Sequence, residues 1–358
     1  MPKVVVAMSG GVDSSVAAAL LKQQGYDVLG MMLRLWSEPG KEDSNRCCTP
    51  DSMAQARRVA AKLDIPFYVV DAKDVFRKTV VEYFLEGYAS GATPNPCLAC
   101  NRTIRWEYLL NHSLALGADF MATGHYARVQ TADDGHRELL RAIDLTKDQS
   151  YILHVLTQEK LSRALFPVGE YPKTEIRAMA ETLGLSTARR PDSQDLCFLA
   201  GEDYRAFLKR NAPEMLRRGD IVTRKGEVIG QHTGLPDYTI GQRKGLGIAS
   251  SVPLYVLAKD SASNTLIVGQ AEELGSRELL TGNVNWTSGK VAADPFRADV
   301  KSRYTGRRAP AEITPLENGT SFRARFDVPQ RDLTPGQAAV IYDGDRVQGG
   351  GVIVTAGA

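Results

Sequence analysis

The 358-residue sequence has no long hydrophobic run, little net charge and few cysteines. An apolar run of about 18 residues would predict a transmembrane helix, and the sequence contains none. The apolar segment Val4–Ala7 that follows Met1-Pro2-Lys3 is too short for a signal peptide, so we expect a cytoplasmic protein that contacts no membrane. The 44 Lys and Arg residues exceed the 42 Asp and Glu residues by only 2. Overall charge therefore does not predict a nucleic-acid partner, and only local basic clusters can.

The cysteines are few and odd in number: Cys47, Cys48, Cys97, Cys100 and Cys197. An odd count in a cytosolic chain argues against a disulfide framework and favours metal binding or catalysis. The composition, 43% hydrophobic and 24% charged, is typical of a globular protein with a sizeable core. The length predicts two or three domains.

The first 202 residues alternate short apolar runs with helical patterns. The runs predict buried strands at Val4–Ala7, Val28–Leu33, Phe67–Val70 and Phe120–Thr123. Helical patterns occur at 14–24, 49–63, 103–116 and 173–183. This alternation predicts an α/β domain over residues 1–202, with a doubly wound parallel sheet and ligands at the carboxyl ends of its strands.

The rest of the chain has a different pattern. Residues 203–280 begin with a basic, helix-like stretch at 205–218 and predict a small central α+β domain. Residues 281–358 predict an all-β barrel, because short strand patterns are separated by Gly, Pro, Asn and Asp turns. These strand patterns lie at Val300–Tyr304, Ser321–Phe326, Ala338–Tyr342 and Gly351–Val354.

A glycine-rich loop, Ser9-Gly10-Gly11-Val12-Asp13-Ser14-Ser15, follows the first predicted strand and opens the first helix. Glycines let the backbone approach a phosphate, and amide N–H groups at a helix N-terminus bind the anion. The loop is neither G-x-G-x-x-G nor the P-loop, since no lysine follows its glycines. The alternative is a tight turn with a capping serine, but the strand–loop–helix context favours phosphate binding.

Two further segments place cysteines in turns. Thr93-Pro94-Asn95-Pro96-Cys97-Leu98-Ala99-Cys100 is stiffened by two prolines and leads into a helical pattern. Cys100 near a helix N-terminus would favour its thiolate. Cys197 lies in Pro191-Asp192-Ser193-Gln194-Asp195-Leu196-Cys197-Phe198, 97 residues beyond Cys100 in the chain, so any pairing of the two is spatial.

The motifs together resemble those of the bacterial and organellar tRNA-specific 2-thiouridylases, which belong to the PP-loop ATP pyrophosphatases. They occur in this order: SGGVDSS at 9–15, TPNPCLACN at 93–101, ATGHYAR at 122–128, KDQSY at 147–151, SQDLCF at 193–198, TIGQRKGLGI at 239–248 and NVNW at 283–286. The resemblance covers essentially the whole chain. It implies 2-thiolation of the wobble uridine of tRNA, with ATP cleaved to AMP and pyrophosphate in the presence of Mg²⁺.

The resemblance also implies roles for individual residues. ATP would contact Ala7, Met8, Ser9, Gly10, Gly11, Val12, Asp13, Ser14, Leu33 and Gly124. The target base and the tRNA would contact Asn95, Pro96, Cys97, Lys147, Asp148, Gln149, Arg303 and Tyr304. Adenylation of the uracil O2 makes it a leaving group, Cys197 would carry the incoming sulfur as a persulfide, and Cys100 would be the partner thiol. A disulfide between Cys100 and Cys197 would need a reductant to reset it.

The chain departs from one common pattern of this family. Cys97 stands where many members carry an aspartate with a proton-transfer role. Cys97, Cys100 and Cys197 would be three thiolate ligands, enough to hold a 4Fe-4S cluster and leave one iron open. Zinc is less favoured because no fourth protein ligand is evident. Cys97 is therefore either a cluster ligand or a bystander to a persulfide and disulfide cycle.

The expected partners are tRNA and a sulfur-donor protein or a source of sulfide. Basic clusters at 205–218 and 301–331 predict contacts with RNA phosphates, although such clusters are also common on solvated faces. One rival interpretation is another PP-loop ligase that adenylates a small molecule, but it does not use the cysteines. A non-enzymatic nucleotide- or RNA-binding module is disfavoured by the intact loop and the placed cysteines. Cys47 and Cys48 receive no role.

Overall fold

The computed structural model describes residues 1–41, 49–191, 196–331 and 333–357. Cys47 and Cys48, to which the sequence assigns no role, lie outside the described residues. So do residues 193–195 of the second cysteine motif. None of the helices in the described ranges has the length and apolar character that crossing a bilayer requires.

A five-stranded parallel sheet forms the centre of the first domain. Its strands are β1 (Lys3–Ala7), β2 (Asp27–Arg34), β3 (Phe67–Asp71), β4 (Phe120–Thr123) and β7 (Ala164–Leu165). Their spatial order is β3-β2-β1-β4-β7, and each neighbouring pair is parallel. All four strands that the sequence predicted are confirmed, because short runs of β-branched and other apolar residues suit a sheet that is buried on both faces.

Helices cover both faces of this sheet. The α-helices of the described residues are α1 (Val12–Gln23), α2 (Pro50–Lys62), α3 (Lys73–Phe76), α4 (Glu82–Ala89), α5 (Pro96–Ala99), α6 (Leu110–Ala115), α7 (Ser150–Leu153), α8 (Gln158–Ser162), α9 (Lys173–Thr182) and α10 (Tyr204–Asn211). π-helical turns occupy Arg77–Val81 and Cys100–Leu109, and 3₁₀ turns occupy Pro167–Glu170, Cys197–Leu199, Pro213–Met215, Leu235–Asp237, Ala271–Glu273 and Glu317–Gly319. Along β1, Val4 and Val6 pack into the core under α1, and Val5 packs into the core on the opposite face.

Helix boundaries follow local capping chemistry. The side chain of Thr49 accepts a hydrogen bond from the Ser52 N–H, and Pro50 takes the first helical position of α2, within the helical pattern predicted at 49–63. Two predicted boundaries were wrong. The backbone is already helical at Pro96 and stays right-handed through the π-helical turns to Ala115, so this helix begins well before residue 103. The basic stretch at 205–218 is α-helical only as far as Asn211, because Pro213 cannot continue the hydrogen-bond ladder.

The central part of the chain forms a small four-stranded sheet. Its strands are β8 (Gly219–Thr223), β9 (Val228–His232), β10 (Tyr255–Asp260) and β11 (Thr265–Gly269), in the order β10-β11-β8-β9. The sheet has its own core, built around Ile221, Val256, Leu266 and Val268.

The C-terminal part forms a closed antiparallel barrel, as predicted. Its strands are β12 (Ser276–Trp286), β13 (Phe296–Lys301), β14 (Ala309–Leu316), β15 (Ser321–Gln330), β16 (Ala338–Asp343) and β17 (Arg346–Gly357). The ring runs β12-β15-β14-β13-β16-β17 and closes because β12 also pairs with β17. The strand predicted at Val300–Tyr304 ends at Lys301, so Arg303 and Tyr304 lie in the turn that follows β13.

A hairpin from the first domain extends the barrel. It consists of β5 (Ala127–Thr131) and β6 (Arg137–Arg141), and β6 pairs with β17 through Leu139 opposite Val347. Beside it, the Tyr151 hydroxyl donates to the Ala338 carbonyl at 2.9 Å and accepts from the Ala338 N–H at 3.2 Å.

One buried cluster spans both parts of the chain, and we call it the shared core. It joins Val5, Met31, Trp106, Met121, Leu139 and Tyr151 of the first domain to Ala338, Val340, Tyr342 and Val347 of the barrel. The first domain and the barrel therefore complete each other's apolar interior.

Replacing Tyr151 by Phe removes the hydroxyl that bonds both backbone groups of Ala338 within the shared core. We expect the free energy of unfolding to fall by about 1–3 kcal/mol, because those polar groups stay buried. The matched control is Tyr68→Phe, since that side chain is 52% exposed. The control should change stability by less than about 0.5 kcal/mol. Urea unfolding followed by circular dichroism measures both, and equal midpoints for the two variants would contradict the role of the hydroxyl.

Candidate active site

The glycine-rich loop lies at the carboxyl edge of the parallel sheet, between β1 and α1. Gly10 has φ of 75°, and a Cβ built on it would lie 2.3 Å from the Ser52 carbonyl oxygen. The Ser14 hydroxyl accepts from the Ser9 N–H at 3.2 Å, and the Ser15 hydroxyl donates to the Gly11 carbonyl at 2.8 Å. The loop is thus held by its own serines, with the amide groups of the helix N-terminus at its open side.

Gly10 and Gly11 differ in how much space the protein leaves for a side chain. A Cβ on Gly11 would meet only the Ser9 hydroxyl, at 3.4 Å, so protein packing does not require glycine there. Gly124, which the sequence predicted as an adenosine contact, packs on the start of α1. A Cβ on it would lie 2.6 Å from the Ser14 nitrogen and 2.8 Å from the Asp13 carbonyl carbon. Gly10 and Gly124 are therefore required by the fold of the loop itself.

Two cations that the sequence analysis missed contact this loop. The Lys173 ammonium lies 2.7 Å and 2.8 Å from the two Asp13 carboxylate oxygens, and the Tyr126 hydroxyl donates to Asp13 at 2.8 Å. The Arg190 guanidinium donates to the Gly10 carbonyl at 3.3 Å and to the Ser52 hydroxyl at 2.9 Å. Lys173 and Arg190 lie more than 150 residues after the loop in the chain, so no local motif marks them.

His125 is a structural residue of this edge. It is buried, its Nδ1 lies 2.7 Å from the Thr123 hydroxyl, and burial lowers the pKa of its imidazole well below the usual range, with the charge of Arg105 acting in the same direction. A neutral imidazole held by its neighbour suits packing under the site better than proton transfer.

The first cysteine segment is fixed on two sides. Pro94 packs onto α4 so closely that a Cβ on Gly87 would lie 2.6 Å from its ring. The Asn95 side chain caps α5 by accepting from the Cys97 N–H at 3.1 Å. The first helical turn therefore contains Cys97, whereas Cys100, predicted near the helix start, lies in the second turn.

The barrel supports the same segment from the other side. The Thr93 N–H donates to the Pro335 carbonyl at 2.8 Å, and the Gln337 side chain donates to the Thr93 carbonyl at 2.8 Å. The position of Cys97 and Cys100 thus depends on a barrel loop as well as on the parallel sheet.

Cys100 and Cys197 pack against one apolar cluster, which we call the cysteine-side cluster. Its buried members are Leu35, Ala72, Phe76, Val80, Val81, Phe84, Tyr88, Ile104, Phe198, Leu199, Phe207 and Leu208. Leu33, the predicted adenine contact at the end of β2, packs against the same cluster. Three residues that the sequence predicted to act at one site thus pack against the same cluster, and Leu33 also packs against the shared core.

Cys97, Cys100 and Cys197, the cysteines within the described residues, are each partly exposed. In the described ranges, no three side chains of His, Cys, Asp or Glu converge closely enough to hold a metal ion. Cys97 packs against the shared core rather than against the cysteine-side cluster. The ligand set of Cys97, Cys100 and Cys197 for a 4Fe-4S cluster stays a prediction.

Several predicted substrate contacts lie near Cys97. Burial raises the pKa of the Tyr304 hydroxyl, and the charges of Asp148 and Cys97 act in the same direction, while a hydrogen bond to Gln149 lowers it. The Gln149 side chain also accepts from the Tyr126 N–H at 3.0 Å. Tyr304 remains 41% exposed, so its ring is accessible for stacking.

Other predicted tRNA contacts are used by the fold. Asp148 is buried, and its carboxylate accepts from the Ala142 N–H at 3.1 Å and the Ser150 hydroxyl at 3.0 Å. Arg303 donates to the Ile240 carbonyl at 3.2 Å and so connects the barrel to the central domain. Lys147 is only partly exposed.

Two open clefts lie near the predicted substrate contacts. One, of about 470 Å³, lies beside both cysteine segments and is lined by Pro94, Asn95, Pro96, Leu196, Leu199 and Tyr204 among others. The second, of about 610 Å³, lies between the 141–148 loop and the barrel and includes Arg141, Lys301, Tyr304, Arg307 and Arg308 in its lining. The first has the size of a site for one nucleotide base, and the second is predominantly basic.

The basic stretch at 205–218 is partly neutralised within the protein. Arg210 bonds Glu38 at 2.8 Å and Glu202 at 2.6 Å, which raises the pKa of its guanidinium. Arg205 donates to the Asp237 carbonyl at 2.8 Å. These two arginines therefore join α10 to neighbouring loops, and part of their charge is neutralised by the carboxylates that they contact.

Comparison with known proteins agrees with this architecture. Three consecutive family models match the chain: a tRNA methyl transferase HUP domain over residues 2–201, a tRNA methyl transferase PRC-barrel domain over 205–270, and an aminomethyltransferase beta-barrel domain over 276–353. The tRNA-specific 2-thiouridylase MnmA of Herpetosiphon aurantiacus is 49% identical over 99% of both chains. That of Heliobacterium modesticaldum is also 49% identical, over 98% of this chain and 92% of its own.

The chain belongs to the tRNA-specific 2-thiouridylase family. Among solved structures, the U34-tRNA thiolase NcsA from Methanococcus maripaludis with its [4Fe-4S] cluster is 22% identical, with a TM-score of 0.36 over 59% of this chain and 68% of that chain. That likeness is too distant to support any assignment of residues here. The family models carry methyl transferase in their descriptions, whereas the near relatives of this 2-thiouridylase family member are named for thiolation.

The two loop glycines give a matched test of the nucleotide site in this 2-thiouridylase family member. Gly10→Ala should destabilise the protein by about 1–3 kcal/mol or more, because its φ and the Ser52 carbonyl leave no room for a methyl group. Gly11→Ala should leave the thermal midpoint unchanged and weaken ATP binding about tenfold or more, since the methyl group narrows only the approach to the loop. Calorimetry of unfolding and of ATP binding separates the two effects. If Gly11→Ala binds ATP with the affinity of the wild type, the assignment of this loop to the ATP site is wrong.

Proposed function

We propose that this chain replaces O2 of the wobble uridine of tRNA with sulfur, using ATP to activate the base. Membership of the 2-thiouridylase family supports tRNA 2-thiolation. The arrangement that supports the mechanism is the packing of Cys100, Cys197 and Leu33 against one cysteine-side cluster. A sulfur-carrying residue and an adenine contact are expected to meet where the activated base is attacked.

In the first step the loop at 9–15 holds the ATP phosphates, and Leu33 and Gly124 contact the adenosine. The uracil O2 attacks the α-phosphorus, the bond to the β-phosphate breaks, and pyrophosphate leaves with the electron pair. Mg²⁺ bound with ATP supplies charge neutralisation for the departing phosphates. The product is a base whose former carbonyl oxygen is the leaving group AMP.

Sulfur transfer follows from the two cysteines. The terminal sulfur of a Cys197 persulfide attacks C2 of the base, and the bond from C2 to the adenylated oxygen breaks to release AMP. The Cys100 thiolate then attacks the Cys197 sulfur. The S–S bond of the adduct breaks, the sulfur left on C2 keeps the electron pair, and a Cys100–Cys197 disulfide forms. A two-electron thiol reductant and a sulfur donor restore the persulfide for the next cycle.

The bound tRNA is proposed to extend from the cysteine segments toward the barrel. The cleft beside Asn95, Pro96 and Leu196 has a suitable size for the everted base. Tyr304, Gln149 and Lys147 border the route to the basic cleft, where Lys301 and Arg307 provide charge for phosphates.

The activity test combines ATP, a persulfide donor that supplies sulfane sulfur, a thiol reductant and unmodified tRNA, with nucleoside analysis and identification of the ATP product. We expect 2-thiouridine, AMP and pyrophosphate. Cys197→Ser and Cys100→Ser should each lower thiolation by at least about a hundredfold, because a hydroxyl is a far weaker nucleophile at neutral pH. Both should still release tRNA-dependent pyrophosphate, since adenylation does not use the thiols. Thiolation retained in Cys197→Ser would refute the persulfide, and ADP as the product would refute adenylation.

Cys97 distinguishes the disulfide cycle from a 4Fe-4S cluster. We propose the persulfide and disulfide route, with Cys97 as a pocket residue. This proposal is supported by the packing of Cys100 and Cys197 against one cluster, whereas Cys97 packs against the shared core. Protein purified without oxygen should then be colourless, free of iron and active, and Cys97→Ala should keep thiolation within about threefold. About four irons per chain with broad visible absorption, lost together with activity in Cys97→Ala, would establish the cluster instead.

A further inference from the structure

The glycine-rich loop carries a negative charge where the ATP phosphates must bind. Asp13 lies in the first turn of α1, and the residues from Ser9 to Ser15 include no lysine or arginine. An unneutralised carboxylate at this position would repel a polyphosphate. Besides the Mg²⁺ that accompanies ATP, positive charge from the protein itself can reach the loop only from another part of the chain.

Lys173 supplies one such charge from a fixed position. It is the first residue of α9 and only 8% exposed, and its ammonium is held by both Asp13 oxygens at 2.7 Å and 2.8 Å. The ammonium lies 5.5 Å from the centre of the Tyr126 ring, and the Tyr126 hydroxyl bonds the same carboxylate. The Lys173 N–H donates to Asp144 at 3.0 Å, which fixes the start of the helix.

Arg190 supplies a second charge from the opposite end of the loop. Its guanidinium donates to the Gly10 carbonyl and the Ser52 hydroxyl, and lies 3.1 Å from an Asp51 oxygen. Arg177, on α9, donates to the carbonyls of Ala188 at 2.9 Å and Arg190 at 3.1 Å. One helix therefore positions both cations, directly in the case of Lys173 and through Arg177 in the case of Arg190.

The packing of α9 against α1 holds Lys173 and Arg190 at fixed positions relative to the loop. Ile176 and Ala180 of α9 share a buried core with Val16 and Ala17 of α1. The Lys173 side chain is 10% exposed and the Asp13 side chain 30% exposed, so the ammonium loses most of its hydration on forming this ion pair and the net gain in stability is small. Stability alone therefore does not account for a nearly buried lysine at this place, whereas phosphate binding does.

We propose that Lys173 and Arg190 bind the polyphosphate of ATP at this loop and stabilise the pyrophosphate that leaves from it. The proposal rests on the proposed function, because it assumes cleavage between the α- and β-phosphates. In that step the α-phosphorus gains a bond to the uracil oxygen and loses its bond to the bridging oxygen, whose negative charge grows as pyrophosphate departs. Two fixed cations stabilise that growing charge.

The test compares the binding of MgATP, AMP and pyrophosphate to Lys173→Gln, Lys173→Arg and Arg190→Gln by calorimetry. We expect each glutamine variant to lose about ten- to a hundredfold in affinity for MgATP and pyrophosphate, and at most about threefold for AMP, which lacks the leaving phosphates. Lys173→Arg should recover part of the loss. Lys160→Gln is the matched control, because it removes another partly buried lysine of this domain, paired with Glu107 at 3.7 Å. Its affinities should equal those of the wild type.

Equal losses for ATP and AMP, or affinities for ATP and pyrophosphate within about twofold of the wild type, would overturn the proposal. If Lys173→Gln does not fold with Asp13 left unpaired, Asp13→Asn with Lys173→Gln removes both charges and is compared with Asp13→Asn alone. A further loss of pyrophosphate affinity in the double variant supports a direct contact, and equal affinities overturn it. Identification of the ATP product of the wild-type protein tests the proposed function separately, since ADP would refute adenylation whatever the variants bind.

Discussion

The burial of the shared core is the constraint on which the rest of the molecule depends. The parallel sheet has apolar residues on both faces, and helices alone do not cover the face that carries Val5, Met31 and Met121. Barrel strands complete that cover, with the Tyr151 hydroxyl satisfying the backbone of Ala338 in the apolar interior. Because the barrel must dock there, its Pro335–Gln337 loop also lies against Thr93 and fixes the segment that carries Cys97 and Cys100.

Much of the fold could be predicted from the sequence, because local patterns specify it. The strands of the parallel sheet are short runs of apolar residues, and the turn into α2 has a capping threonine followed by proline. The barrel also follows from regularly spaced turn residues. The wrong helix boundaries lie where two local signals in the sequence favour different structures. The basic composition at 205–218 favours helix throughout, yet Pro213 ends it, and the helix that carries Cys97 and Cys100 begins at Pro96 because Asn95 caps it.

The candidate site could be predicted only where its residues form contiguous motifs. The loop at 9–15 and the two cysteine segments have distinctive strings, and the structure brings Cys100, Cys197 and Leu33 to one apolar cluster. Lys173 and Arg190 are single cations far along the chain, and only the packing of α9 on α1 directs them to the loop. Asp148 was predicted to contact tRNA because it lies in a polar loop. In the structure its carboxylate is buried and accepts hydrogen bonds from the Ala142 N–H and the Ser150 hydroxyl. Side-chain burial in a loop depends on tertiary contacts that no local string encodes.

The pairing of the β5–β6 hairpin with β17 has a consequence for synthesis on the ribosome. Arg346 bonds Glu138 across a sequence separation of 208 residues, so this edge of the sheet forms only when nearly the whole chain has been made. Until then the first domain exposes Leu139, Tyr151 and their apolar neighbours, a surface that favours aggregation of a nascent chain. Contacts of such long range also slow folding, because the loop entropy is lost before the contacts form. Truncated translation products of this protein should therefore be recognised by chaperones and proteases rather than accumulate as an active first domain.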